Sequence, residues 1–559
     1  MTRAPPSPAR TAARFRRDPA QVMQLARLGL AHPTRLSFLR ILLRRMQREN
    51  WRFDRPVFDI DANGVGRAVY RAIGPERTYS LVAFAHDLPT DMRSDRVIAT
   101  AWDATFALHD GTPDAADLDR LAENVPLQEA GRVTQKELTL SRANRSVRLF
   151  EHVIECLSEG RQPNADDLAA TGYLMRTTAV YGSGKFGAAT HHSLRTQAET
   201  AAPFQAEMLT VWLIRTFTVD LVTHMARRRG GAAAVPLADN LRRSLGVGNS
   251  TGLGMAPFLV RHPILLNNWM MAREEALARV RTQQAAVSDT VERFVKALKA
   301  AQENAAVWTS AHPLQQDRLK VLRAGLDQIA AYAETGWDRR AKYPWDALWH
   351  WGQTHLETEA QEALLSLMLE PHGHLIDGLE DCLSEDEAAA FAIDGSQRIG
   401  ELKTVLAKNY DWALDVDYAD RKASSRFWYV SEDKLEPRLG ERFDEPGSDR
   451  ELPLDIGRQA AELYKTLDGF PDTAPIAGLL LAHPEHRSMV RRVQLTATRP
   501  FAEIRDNLID ANMLPIDMLR CKLACFGASR FDPRSDRWVR ISLFQNTPYP
   551  DDLHAESDL

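Results

Sequence analysis

Gly246-Val247-Gly248-Asn249-Ser250-Thr251-Gly252-Leu253-Gly254, running on into Met255-Ala256-Pro257-Phe258, is the stretch on which the reading of this chain turns. Glycine loses more conformational entropy on folding than any other residue, so a dense run needs a physical reason. Two reasons compete. Backbone without Cβ atoms can press against a ligand, and a helix start just beyond adds unpaired N–H groups and a partial positive charge; together these suit an anion. Alternatively, the glycines are a hinge between two helices. Asn249, Ser250 and Thr251 favour the ligand reading, because a hinge needs no side-chain donors or acceptors. Pro257 suits a first helical turn, with Arg261 and His262 close behind it.

Outward from that stretch, apolar residues recur with helical spacing from Thr134 to about Ala407. Asp166–Thr178, Ala201–Arg229, Pro263–Gln302 and Gln315–Thr335 are the clearest segments. Arg227-Arg228-Arg229 before Gly230 is a helix C-terminal signal, with cations where the dipole favours them. The expected fold is therefore mainly α. A central multi-helix bundle over 134–407 carries both glycine-rich loops and is flanked by α+β regions over 21–133 and 408–559, behind a disordered basic tail over 1–20. In the first flank, Ala62-Asn63-Gly64 is a hairpin signal between Val57–Asp61 and Val65–Ala72. Tyr79–Ala85 and Val97–Leu108 add strands, which makes a small antiparallel sheet. In the second flank, Ser425–Val430, Val493–Thr498, Cys521–Ala528 and Trp538–Phe544 are strand candidates.

Composition bounds the function classes. The chain has 559 residues, 44% hydrophobic and 26% charged, the proportions of an ordinary globular protein too long for one core. A net charge of −5 argues against nucleic acid as the main partner, since phosphate neutralisation needs a basic excess. No stretch approaches the ~20 apolar residues that cross a bilayer, so no membrane partner is expected. Cys156, Cys382, Cys521 and Cys525 are too few and scattered for a disulfide framework, which fits a cytoplasmic location. Homo-oligomerisation stays open.

A second glycine cluster, Tyr181-Gly182-Ser183-Gly184-Lys185-Phe186-Gly187, formally matches G-x-G-x-x-G through Gly182, Gly184 and Gly187. A dinucleotide fingerprint must follow a strand inside a βαβ unit. Leu168–Val180 reads as helix, so the cluster is taken as an interhelical loop. Lys185 supplies a point charge for a phosphate or carboxylate. His191 and His192 can move protons near neutral pH. Arg426 and Tyr429 mix a cation with an aromatic ring and can close over an anionic substrate.

The sequence thus points to an enzyme of small-molecule metabolism. Lys185, His191 and His192 are the candidate catalytic residues. Gly182, Ser183, Gly184, Gly187, Gly246, Gly248, Asn249, Ser250, Thr251, Gly252, Gly254, Arg426 and Tyr429 are the candidate binding residues for an anionic ligand. Non-redox elimination or group transfer is preferred over an oxidoreductase holding flavin or nicotinamide in a non-Rossmann manner. A helical scaffold that binds protein partners is the competing class. The cofactor is unknown, and no metal is expected: His372-Gly373-His374 with Asp377, and His483-Pro484-Glu485-His486, have ligand-like spacing but read as helix-end and turn residues. Trp345, Trp349 and Trp351 read as core. Asp411, Asp415, Asp417 and Asp420 read as a solvated face.

Overall fold

A computed structural model describes residues 12–30, 34–89, 101–127, 134–182, 197–200, 202–250, 263–308, 313–384, 392–419, 429–431, 434–436, 456–505, 520, 523–527, 530–533, 539–556 and 559. These form two compact units. One comprises Ser37–Thr251, Cys525–Asp532 and Val539–Leu559; the other comprises Met1–Leu36, Gly252–Ala524 and Pro533–Trp538.

The first unit is built on a sheet. Its strands are β1 (Arg52–Ile60), β2 (Gly66–Ile73), β3 (Thr78–Ala85), β4 (Ala104–Asp110), β5 (Glu137–Arg145), β6 (Tyr173–Gly182) and β7 (Gly246–Ser250). Two short strands, β8 (Tyr429–Ser431) and β9 (Lys434–Glu436), pair with each other in the second unit. β10 (Arg530–Pro533) and β11 (Val539–Leu543) return to the main sheet. Its nine strands are ordered β1-β2-β3-β4-β5-β6-β7-β11-β10. β1 to β6 form an antiparallel meander. β7 then lies parallel to β6 and antiparallel to β11. The Asn63-Gly64 hairpin forms as its sequence demands: Gly64 takes φ +78°, and Asp61 Oδ1 accepts from the Asn63 and Val65 amides.

The helices of this unit are α1 (Phe38–Arg48), α2 (Ala115–Asn124), α3 (Phe150–Ser158), α4 (Ala165–Thr171), α5 (Gln205–Gly230) and α6 (Asp239–Ser244). The period-2 alternation of strand side chains divides the sheet between two of them. On one face Phe106 and Tyr70 meet Phe217 of α5 edge-on, at centroid distances of 5.4 and 6.3 Å. On the other, Val69, Val82, Phe84, Ala107 and Leu140 pack with Leu118 and Leu121 of α2.

This overturns the expected central helical bundle flanked by a small sheet. Three strands of a large mixed sheet, β5, β6 and β7, fall inside the stretch 134–407 that read as helical. The residue that divides helix from strand is Gly172. It takes φ +76° and caps α4, its N–H reaching the Leu168 carbonyl. Beyond it the β-branched and aromatic residues of Tyr173–Tyr181 suit a strand. The glycine run is likewise no interhelical loop at its start, because Gly246–Ser250 is β7. A Cβ on Gly248 would lie 2.6 Å from the Tyr173 ring, and one on Gly246 would strike the Leu543 carbonyl and lie 2.5 Å from Ser542 Oγ. These two glycines let neighbouring strands close up.

The edge of β7 is held by Arg215, in the middle of α5 and fully buried. Its guanidinium donates to the carbonyls of Leu245 (2.7 Å), Arg243 (3.0 Å), Thr547 (3.0 Å) and Pro548 (3.2 Å), and lies 3.8 Å from the centre of the Tyr549 ring. Burial pulls its pKa down to about 10, so it stays charged at neutral pH.

The second unit is helical: α7 (Pro263–Arg281), α8 (Ser288–Ala306), α9 (Pro313–Thr335), α10 (Pro344–His355), α11 (Thr358–Leu369), α12 (Ile399–Asn409), α13 (Ile456–Leu467), α14 (Ile476–Ala482) and α15 (Arg487–Thr498). Val493–Thr498, a strand candidate, is the end of α15. Glu274 and Glu362 are fully buried and share Arg17, whose Nη2 and Nη1 lie 2.7 Å from one oxygen of each. α12 to α15 enclose a separate apolar core that includes Leu402, Leu406, Leu463, Leu479 and Val493.

Arg215→Met is expected to leave several buried carbonyls without donors, each worth about 1–3 kcal/mol. The thermal midpoint should fall by several degrees, and limited proteolysis should first release the segment after Leu543. Arg215→Lys should recover little, because one ammonium cannot span the same fork of acceptors.

Candidate functional site

The two glycine-rich stretches are brought to one place by the parallel pair. Tyr173 lies beside Gly246, Arg176 beside Gly248 and Thr177 beside Asn249. β6 and β7 therefore leave the sheet in the same direction, β6 through Gly182 and β7 through Ser250. The connection between them carries α5 and α6, so the pair with its crossover is a βαβ unit. Of the candidate residues, Gly182, Gly246, Gly248, Asn249 and Ser250 belong to this pair. Tyr429 opens the β8–β9 hairpin of the helical unit. Ser183, Gly184, Lys185, Gly187, His191, His192, Thr251, Gly252, Gly254 and Arg426 lie outside the described residues.

The described chain resumes at Gln197, at the same end of the sheet. Its Nε2 donates to Asp110 at the end of β4 (3.0 Å), and the Tyr79 hydroxyl at the start of β3 donates to its Oε1 (3.2 Å). Glu199 follows and is fully committed. Its carboxylate accepts from the Glu76 and Arg77 amides and from the Tyr79 hydroxyl, at 3.0, 3.1 and 2.7 Å.

α5 starts at this end. Thr210 Oγ1 is 2.6 Å from Thr139 Oγ1, and Thr139 pairs with Gly182. Further along the helix, His224 Nε2 reaches the Asp61 carbonyl at the opposite end, 3.1 Å away. The positive pole of a 26-residue helix thus stands at the end where β6 and β7 finish. Its N-cap, Phe204, has φ +60° and makes no side-chain capping bond.

One turn before Thr210 sits Glu207, which the sequence reading passed over. It is 7% exposed and its Oε2 has no hydrogen-bond partner. Burial pushes its pKa up to about 7, against the opposing pull of its own backbone N–H. That places a carboxyl group midway through titration at neutral pH, as an acid/base catalyst requires. A signal was present: Glu207 is the one charged residue in Gln205–Ile214, an otherwise apolar and polar-uncharged run.

A second polar cluster lies two residues before Thr139 on β5. Buried Glu137 faces His109 Nδ1 at 3.1 Å and accepts from Arg120 and from the Thr134 amide and hydroxyl. Burial would raise its pKa, but the donors from His109, Arg120 and Thr134 outweigh it and hold the group well below the carboxylate range. His109 Nε2 stands 3.6 Å from Asp117. These groups satisfy one another, in contrast to Glu207. The remaining groupings are structural. Asp377 pairs with Arg35 at 2.7 Å, and His372 donates to the Met368 carbonyl at 2.8 Å while burial lowers its pKa to about 4. Trp345 and Trp349 are core, and Asp411, Asp415 and Asp417 are exposed.

Compared with protein-family models, with curated proteins and with solved structures, the chain matches none.

The raised pKa of Glu207 has a defined sign. The unfolded chain loses this proton near pH 4.3 and the folded chain near 7, so the group costs stability as pH rises through that window. Glu207→Gln is expected to match the parent's stability near pH 4 and to exceed it at pH 8 by an amount on the order of 3 kcal/mol. Chemical denaturation at a series of pH values measures the difference; parallel profiles would refute it.

Proposed function

We propose that this chain is a cytoplasmic enzyme of small-molecule metabolism. It binds an anionic group (a phosphate, nucleotide, CoA or carboxylate) beyond the carboxyl ends of β6 and β7 and carries out non-redox elimination or group transfer. The observation that carries the reading is that two glycine-rich stretches, far apart in sequence, continue from neighbouring parallel strands in the same direction. In open α/β sheets, ligands bind beyond the carboxyl ends of parallel strands. The α5 N-terminus adds partial positive charge there, and Glu207 adds a proton donor or acceptor.

In this reading Lys185 neutralises ligand charge, and His191 or His192 shares the proton traffic with Glu207. Asn249, Ser250 and Thr251 supply hydrogen bonds. Gly182, Ser183, Gly184 and Gly187 on one side, and Gly252 and Gly254 on the other, let backbone approach the anion. Gly246 and Gly248 serve strand packing instead, as their close approaches to Leu543 and Tyr173 require.

One observation favours a second reading, a nicotinamide- or flavin-dependent oxidoreductase. Gly182 does end a strand, and a βαβ unit does follow, so that objection to the fingerprint falls away. Against it, Glu199 is spent on the β2–β3 turn and β7 ends in Asn249-Ser250 without a carboxylate for a ribose.

A thermal-shift panel of inorganic phosphate, nucleotides, NAD(P), FAD, CoA esters and dicarboxylates tests both readings. At least one class should raise the midpoint of the parent protein by mass action. Lys185→Ala and Asn249→Ala should each weaken that ligand about tenfold or more, with circular dichroism and the unliganded midpoint unchanged. A panel without a shift, or a shift indifferent to both substitutions, defeats the proposal. The responding class decides between the two chemistries.

A further inference from the structure

Three ligand-type side chains meet where α14 gives way to α15, in the helical unit. His483 follows the last residue of α14, Pro484–His486 forms one tight turn, and α15 begins at Arg487. One ligand atom from each of His483, Glu485 and His486 lies within 4.8 Å of the other two. His483 Nδ1 is 3.1 Å from Glu485 Oε1, a separation that one ion can bridge. Among the described residues this is the one such grouping of three.

The buried member is already oriented. His486 Nε2 is 3.0 Å from Thr466 Oγ1, near the end of α13. A threonine hydroxyl has a single hydrogen, and Thr466 donates it to the Glu462 carbonyl at 2.9 Å. The hydroxyl can therefore only accept from His486. This fixes the hydrogen on Nε2 and, in the neutral ring, leaves the lone pair on Nδ1. Histidines that bind metals are held in this way, one nitrogen donating to the protein and the other presented to the ion. The Phe470 ring backs His483 edge-on at 6.0 Å.

We infer that the His483-Pro484-Glu485-His486 turn binds one divalent transition-metal ion, Zn²⁺ foremost, through the two imidazoles and the carboxylate. Two nitrogens and one oxygen suit zinc, cobalt or nickel and disfavour calcium and magnesium, which take oxygen ligands. Three protein ligands leave a tetrahedral position for water. Glu485 is exposed and His483 half-buried, so the ion has access from solvent. The inference does not rest on the proposed enzymatic reading. It revises the sequence reading of a plain turn, and what changes it is the hold of Thr466 on His486.

The test uses the full chain after dialysis against a chelator. Cobalt(II) is titrated with visible absorption as the readout, and Zn²⁺ is then used to displace it. One saturable equivalent with tetrahedral or five-coordinate d–d bands is expected, together with a higher thermal midpoint in the presence of Zn²⁺. His483→Ala and Glu485→Gln change groups outside the buried core, so the fold should survive, and each should weaken cobalt binding about tenfold or more. Thr466→Val should weaken it in the same direction through loss of ring orientation. Absence of a saturable equivalent overturns the inference. So does binding that His483→Ala and Glu485→Gln leave as tight as in the parent, which would put the ion elsewhere.

Discussion

A single buried cation decides how the sheet ends. Arg215 has no carboxylate partner among its printed contacts; it spends its guanidinium on backbone carbonyls. Two belong to the chain just before β7, at Arg243 and Leu245, and two to the chain just after β11, at Thr547 and Pro548. The interaction therefore ties the start of one strand to the exit from the other, and their antiparallel pairing from Arg540–Ser250 to Leu543–Val247 follows. A planar, permanently charged group with five donors suits this task, since each carbonyl would otherwise be buried without a donor. The parallel pair that carries both glycine-rich stretches depends on this arrangement, because β7 is short and is flanked by β6 and β11.

The handling of buried carboxylates separates scaffold from candidate chemistry. Glu274 and Glu362 meet Arg17, Glu137 meets Arg120 and His109, and Glu199 meets two amides and a phenol. Each is a charge removed from water and compensated by donors, as low-dielectric surroundings demand. Glu207 departs from that pattern: among the described residues, its Oε2 is the buried carboxylate oxygen without a partner. A group left in that condition resists ionisation, and it stands at the positive pole of α5. Its neighbour Thr210 is bonded to Thr139, so the local packing is otherwise complete.

Local chemistry was legible wherever a single turn or cap decides the structure. Asn63-Gly64 gave the first hairpin. Arg227 to Gly230 closed α5, which ends at Gly230 with Gly231 at φ +56°. What stayed hidden was long-range. Leu168–Val180 is apolar enough for either periodicity, and Gly172 was not weighed as a helix stop. The run from Gly246 looked like loop because glycines are poor strand formers. They are tolerated in β7 because Tyr173 on one side and Leu543 with Ser542 on the other occupy the space side chains would need. Those neighbours are remote in sequence, and no window around Gly246 contains them. Val493–Thr498 failed conversely: its β-branched residues suggested a strand, but its burial within the core of α12–α15 made it helix. At the candidate site, the convergence of the two glycine stretches was guessed from topology and rests on a strand pairing that periodicity did not reveal.

The late return of β11 also shapes how the molecule is made. During synthesis β1 to β6 emerge together and can zip up as successive hairpins, each pairing with the strand just before it. β7 then emerges with one neighbour, and its other edge waits while the whole helical unit is translated. For that interval the nascent chain displays an unpaired edge of glycine, valine and asparagine, the kind of template that foreign strands can join. Ribosome-bound chains halted before Val539 should accordingly need chaperone cover that the released protein does not.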